Sequence, residues 1–252
     1  MSNNITAILT GYNRPNNMNA LADAVRGQTI PPDDTWVWYN KGTEEQEEIY
    51  GSKGAYCDYN FGFFGRFAMA LLAQTEYVAI FDDDTIPGER WFENCLNTMQ
   101  EAPAILGTVG IYLTGPYYHS HERIGWPAPN ERTAPVDLVG HCWFMRKEDV
   151  KLMFAEDPYR TCNGEDIHLA ALAWRYARLP CCVPPHPYND KSLWGSIHGM
   201  KLGMDKAASS LRDVREHVAV RDAIVKEEIR RGWTPMHMRQ DDYADKNVVS
   251  LR

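Results

Sequence analysis

The chain has 252 residues, 44% hydrophobic and 12% aromatic, which suits one large domain with a substantial core and excludes a disordered polymer. Its formal net charge of −8 argues against a broad electrostatic grip on nucleic acid, and residues 201–252, with eleven Lys and Arg against nine Asp and Glu, leave the acidity in the body. No apolar run approaches the roughly 18 residues of a membrane span.

Residues 5–10 are a β-rich apolar run ending in Gly11-Tyr12-Asn13-Arg14-Pro15, which predicts a buried strand entering a polar loop. Helical spacing over 19–25, the break Pro31-Pro32-Asp33-Asp34 and a strand over 35–39 predict a βαβ unit and a parallel sheet. Residues 51–65, rich in Gly, Tyr, Asn and Phe, read as a loop, and 66–75 as a helix. A third strand, 77–81, runs straight into Asp82-Asp83-Asp84. Pro87-Gly88 turn the chain into an amphipathic helix over 91–101, followed by a strand over 105–113. Residues 115–135 hold four prolines and the cluster Tyr117-Tyr118-His119, and read as a loop. A strand over 136–145 leads to a helix from Lys147 and another from about Glu165, with Leu169, Leu172 and Tyr176 on one face. Residues 181–187 read as a proline-rich exit, 207–231 as a polar helix, and the last twenty or so as weakly ordered. The N-terminus lacks a signal-peptide pattern, and six cysteines without a Cys-x-x-Cys pair fit a reducing compartment, so a soluble cytoplasmic protein is expected.

Carboxylates at the end of a buried strand are costly unless their charge is compensated. Open α/β sheets bind ligands beyond the carboxyl ends of their strands. Asp82-Asp83-Asp84 therefore suits a divalent cation, and Mg²⁺ or Mn²⁺ would match oxygen ligands and bridge to substrate phosphates. A solvated acidic turn capping the next helix is the plainer alternative. Glu165-Asp166, after Asn163-Gly164, also reads two ways: as negative charge at a helix N-terminus, or as a general base over an acceptor hydroxyl.

The order of these segments resembles that of family 2-like GT-A glycosyltransferases. The resemblance spans about residues 5–199 and starts with Ile8-Leu9-Thr10-Gly11-Tyr12-Asn13-Arg14-Pro15 and Phe61-Gly62-Phe63-Phe64-Gly65-Arg66. It continues with Tyr77-Val78-Ala79-Ile80-Phe81-Asp82-Asp83-Asp84, then Val136-Asp137-Leu138-Val139-Gly140-His141, and ends with Gly164-Glu165-Asp166-Ile167. It implies an α/β fold of the GT-A, Rossmann-like kind, with a mostly parallel central sheet flanked by helices. Residues 1–200 would form that domain, the donor half over about 1–114 and the acceptor half over about 115–200, with 201–252 a C-terminal helical tail.

The resemblance further implies an enzyme that moves a sugar from a nucleotide-diphosphate donor, of the UDP or GDP type, to an acceptor hydroxyl on a saccharide or glycan, with inversion and with Mn²⁺ or Mg²⁺. Thr10, Tyr12 and Arg14 would border the nucleotide, Arg66 would approach the nucleotide or its phosphates, Asp82 the nucleoside and Asp83 the donor sugar. Asp84 would ligate the metal with Asp82 beside it, and His198 is the first choice for a late histidine ligand, His186 the second; a structural hydrogen-bonding role is the alternative for each. Asp166 would deprotonate the acceptor, with Glu165 able to take that role or to orient the acceptor. Gly140 and His141 would line the acceptor side, and Trp143 and Trp194 would stack on a sugar face, with core packing the alternative for all four.

Two features depart from that family pattern. The second strand ends Trp38-Tyr39-Asn40, where many relatives place an acid, and no membrane-associating helix is visible. The Glu-Asp-Ile segment also resembles that of retaining exostosin-like transferases, which leaves stereochemistry open. Three other readings compete. A transferase that glycosylates a hydroxylated DNA base would meet nucleic acid as its acceptor. A nucleotidyltransferase would show a Gly-rich phosphate loop with a Lys, which Gly11-Tyr12-Asn13-Arg14 does not supply. A non-catalytic nucleotide-sugar-binding module would have no need of Glu165-Asp166.

Overall fold

The structure is a computed structural model and describes residues 3–42, 48–49, 51–198, 202–205, 208 and 213–239. Strand β1 (Ile5–Gly11) is buried almost throughout, as a strand covered on both faces must be. Parallel neighbours flank it, β2 (Asp34–Tyr39) on one side and β4 (Tyr77–Phe81) on the other. β3 (Lys53–Tyr56) extends the sheet in parallel beyond β2. Past β4 come β8 (Leu138–Arg146), β5 (Ile105–Leu113), β9 (Cys181–Val183) and β7 (Ala134–Val136), with β6 (His121–Gly125) paired to β5. β1 to β5 and β9 run one way and β6 to β8 the other, so the sheet is mostly parallel.

Alternate residues of a strand point to opposite faces, and β1 supplies both layers of the core. Ile5, Ala7 and Leu9 join one cluster, under α1 (Pro15–Arg26) and α3 (Trp91–Glu101); Ile8 joins the other. α1 opens with proline in its first turn and buries Met18, Leu21, Ala22 and Val25, the i, i+3, i+4, i+7 stripe of an amphipathic helix. On the second face lie α2 (Gly65–Ala70), α4 (Glu165–Ala177) and α5 (Val214–Arg230).

Several segments differ from the sequence expectation for local reasons. β3 lies within the expected loop 51–65, and its four residues are mostly exposed and include a glycine, so no alternation betrays it. The expected loop 115–135 contains β6, whose outer residues are polar and exposed. The proline-rich exit begins as β9, three buried residues stopped by Pro184 and Pro185. The helix from Lys147 is a 3-10 helix, Lys147–Phe154. On α4, Leu169 and Leu172 are buried but Tyr176 is 56% exposed.

α5 is built into the core. Asp213 caps it by accepting from the Glu216 N–H, and Ile224, Val225 and Trp233 belong to the larger core cluster. Glu228 is fully buried and its Oε1 lies 2.9 Å from Nδ1 of His168 on α4. Gly164, at the N-terminus of α4, has φ +81°, and a Cβ there would meet Ile224 Cδ1 at 2.4 Å. Glycine is thus required twice over, by conformation and by the closeness of α5. Residues 240–252, expected to be weakly ordered, lie outside the described residues. No helix among the described residues is long and apolar enough to cross a membrane.

Candidate active-site cleft

Because β1, β2 and β4 are parallel and adjacent, their carboxyl ends open on one edge of the sheet, and β8, running the other way, starts there. That edge carries a cleft of about 970 Å³. Thr10, Tyr12, Arg14, Arg66, Asp82, Asp83 and Asp84 line it, together with Gly140, His141, Trp143, Glu165 and Asp166.

The Asp82 N–H donates to the His141 carbonyl at 3.0 Å, which ties the end of β4 to β8. Between the pairs Gly107–Trp143 and Val109–Gly140, β8 carries one residue more than β5. This bulge falls at His141, whose φ of +66° is uncommon for a residue with a side chain. His141 Nδ1 stands 3.7 Å from Asp84 Oδ1, too far for a hydrogen bond. One ligand atom from each of Asp82, Asp84 and His141 lies within 4.8 Å of the others. Two hard carboxylates and a borderline imidazole make a donor set that fits a divalent cation.

Arginines compensate the acids. Arg14 Nη1 donates to Asp83 Oδ1 at 2.5 Å and to Asp84 Oδ2 at 3.1 Å, while its Nε and Nη2 donate to the two carboxylate oxygens of Asp205 at 2.8 and 3.0 Å. Burial pushes Asp83 up to about 7, an effect that Arg14 opposes and the charge of Asp84 reinforces. Burial also works to raise Asp84, but His141 and Arg14 hold it below the ordinary carboxylate value. Arg66 is almost fully buried, donates to Asp82 Oδ1, and reaches Glu165 Oε1 at 3.0 Å. Trp143 lies against it, the guanidinium carbon 4.6 Å from the ring centroid.

At the head of α4, Glu165 is pushed up to about 7 by burial and by the charge of Asp166, against the pull of Arg66. Asp166 keeps partial exposure to the cleft. Its Oδ1 accepts from the Ile167 N–H at 2.9 Å and its Oδ2 from Arg221 Nη2 at 2.6 Å. Arg221 belongs to α5, also donates to Asn163 Oδ1 at 3.0 Å, and stacks on Tyr118 at 4.1 Å. Gly140 faces this carboxylate, and a Cβ there would come within 4.0 Å of Oδ2.

The remaining expected residues lie elsewhere. His198 is exposed and outside the cleft wall. His186 is buried: Nδ1 lies 2.9 Å from the Pro184 carbonyl and Nε2 accepts from the Gly195 N–H at 3.0 Å. That pattern fixes a neutral imidazole protonated at Nδ1, and burial lowers its pKa to about 4. Trp194 is buried against Val109 and Trp126, and its indole N–H donates to the Pro187 carbonyl at 2.8 Å. Sequence reasoning missed His141 as a partner of the acids, and Arg221 and Asn163 as parts of the site. A bulge and a helix-to-helix arginine leave no local pattern to read.

No protein-family model and no curated protein matches the sequence. Among solved structures, S. aureus TarS is similar at TM-score 0.53 and 16% identity over 73% of this chain, and a structure of its residues 1–349 at TM-score 0.52 and 16% identity over the same share. The chain spans 35% and 58% of those two structures, so it corresponds to a part of that protein. The likeness shows the fold of this chain, a GT-A type α/β domain with a mostly parallel sheet.

Proposed function

We propose that this protein is a metal-dependent glycosyltransferase that moves a sugar from a nucleotide-diphosphate donor to an acceptor hydroxyl. The observation that carries the reading is one cleft lined by two acidic sets, Asp82, Asp84 and His141 at the β4–β8 edge and Glu165-Asp166 at the head of α4. TarS, a GT-A-like glycosyltransferase, lends the fold-level analogy.

Asp82, Asp84 and His141 would hold Mn²⁺ or Mg²⁺, which when bound neutralises charge on the donor diphosphate. His141 takes the place that His198 was expected to fill. Thr10 and Tyr12 border the nucleotide, and Asp83, held by Arg14, faces the donor sugar. Asp166 is the base. Its carboxylate is partly exposed beside the open space over Gly140, and Arg221 and the Ile167 N–H orient it. It takes the proton of the acceptor hydroxyl as the new bond to the anomeric carbon forms and the bond to the diphosphate breaks. A single base on the acceptor wall fits in-line displacement with inversion. Glu165, more deeply buried and bonded to Arg66, holds that arginine against Asp82 instead of meeting the acceptor.

Thermal stability measured with UDP- and GDP-sugars, with and without Mn²⁺, tests the reading, because a ligand of the native state raises apparent stability. At least one nucleotide-sugar should stabilise the protein in a Mn²⁺-dependent way, and Asp166→Asn should keep that response while losing transfer. No response to any nucleotide-sugar would overturn it.

A further inference from the structure

The five cleft carboxylates, Asp82, Asp83, Asp84, Glu165 and Asp166, are met by three arginines, Arg14, Arg66 and Arg221. A fourth arginine of the cleft wall, Arg123 on β6, has no carboxylate partner among the described residues. Its Nε donates to the Trp126 carbonyl at 3.3 Å, and its guanidinium carbon lies 5.8 Å from the Trp126 ring centroid. Nη1 and Nη2 have no protein acceptor among the described residues. The residue is exposed while lining the cleft, so these nitrogens are open to a solute that enters it.

Position assigns it to the acceptor wall. The donor side is built on β1, β2 and β4, whereas Arg123 lies on β6, beyond β5. The Trp126 ring that it borders also lies 5.5 Å from the His141 ring, and Tyr118 stacks on Arg221, the partner of Asp166. An acceptor whose hydroxyl reaches Asp166 would thus pass beside Arg123. A guanidinium with its two terminal nitrogens open matches a carboxylate or phosphate in a two-pronged contact.

We propose that Arg123 binds an anionic substituent of the acceptor, so that the acceptor is an acidic saccharide or a sugar phosphate and not a neutral glycan. The proposal rests on the glycosyltransferase reading of the cleft. A nucleic-acid strand is disfavoured, because it asks for a row of cations along its backbone and the other cleft arginines are already engaged with acids.

The test separates binding from turnover. Calorimetric titrations of the full chain in EDTA, which keeps phosphate off the cation group, use glucuronate, glucose 6-phosphate, glucose and a short single-stranded oligonucleotide. The two charged sugars should bind at least about tenfold more tightly than glucose, and Arg123→Gln should remove that preference while Arg123→Lys keeps part of it; tenfold is about 1.4 kcal/mol. The arms with glucuronate and glucose 6-phosphate tell carboxylate from phosphate. Equal binding of glucose and the charged sugars, or an unchanged preference in Arg123→Gln, would overturn the proposal. So would an oligonucleotide that outcompetes both sugars and loses affinity in Arg123→Gln. Stabilisation by a nucleotide-sugar with Mn²⁺ is read in parallel: its failure removes the donor reading, whereas these titrations judge Arg123 by themselves.

Discussion

Replacing Arg221 by alanine tests whether the C-terminal helix is part of the reaction centre. The guanidinium is 7% exposed and the Asp166 side chain 14%, and they meet at 2.6 Å, with Asn163 at 3.0 Å on another nitrogen. Removing one partner of a buried ion pair costs about 3–5 kcal/mol, because the other charge is left behind. Water in the cleft can reach Asp166, which favours the lower end, about 3 kcal/mol. Loss of the stack on Tyr118 adds roughly 0.5–2 kcal/mol. The sum, about 3.5–5 kcal/mol, is a large share of the stability of an ordinary domain. Urea denaturation of wild type, Arg221→Ala, Asp166→Asn and the double variant measures it. Asp166→Asn should recover part of the loss in the Arg221→Ala background, with a coupling of roughly 1–3 kcal/mol. A single-variant loss below about 1 kcal/mol, or strictly additive losses, would refute the claim that these two side chains depend on one another.

Asp84→Ala should abolish stabilisation by Mn²⁺ with a nucleotide-sugar, and His141→Ala should weaken apparent Mn²⁺ affinity by about tenfold or more. His198→Ala should leave it unchanged; a loss there with no loss at His141 would restore His198 as the ligand. Gly164→Ala should destabilise by about 2–5 kcal/mol, combining roughly 1–2 for a left-handed alanine with about 1–3 for the clash with Ile224. Adding Ile224→Ala should relieve none of the backbone part, so a mutant as stable as wild type would contradict the φ argument. Glu165 holds its proton more tightly folded than unfolded, so its contribution is greatest below about 4.5 and declines as pH rises through about 7. Glu165→Gln should therefore flatten the fall in stability over that window, and an unaltered pH profile would show that another group causes it.

The elements legible in the sequence are those whose burial is patterned along the chain. β1, β4 and β5 are continuous apolar runs, α1 carries its stripe, and Asp82-Asp83-Asp84 announces itself by interrupting a buried strand. β3 and β6 were invisible because edge strands with polar or glycine residues have no alternation to read. His141 illustrates a deeper limit. Its identity and place after Gly140 were plain, and the segment suggested the acceptor side, but one extra residue in β8 sets its backbone left-handed beside Asp84. A bulge is defined by the partner strand, so it cannot be read from the strand that carries it. Arg221 is hidden in the same way: in a polar helix it is one charge among many, and its burial against Asp166 exists once α5 has docked on α4.

That docking gives the cleft a particular electrostatic design. Arg66 spans from Asp82, a member of the cation group, to Glu165 at the head of α4, so one buried guanidinium joins the two acidic sets of the cleft. Arg221 continues the line from Asp166 into α5, and Arg14 closes the other end from Asp83 and Asp84 to Asp205. Gly203 presses on the same acid: a Cβ there would lie 2.4 Å from Asp84 Oδ2. Asp84 therefore offers its Oδ2 to Arg14 while its Oδ1 faces His141, and a cation can be taken up on the His141 side without displacing the arginine. Carboxylates that would repel one another in an empty cleft are held in place by fixed cations before any ligand arrives, which is the preorganisation that electrostatic catalysis requires. Guanidinium forks suit this task better than ammonium groups would, because each of the three must reach two or more acceptors in different directions at once.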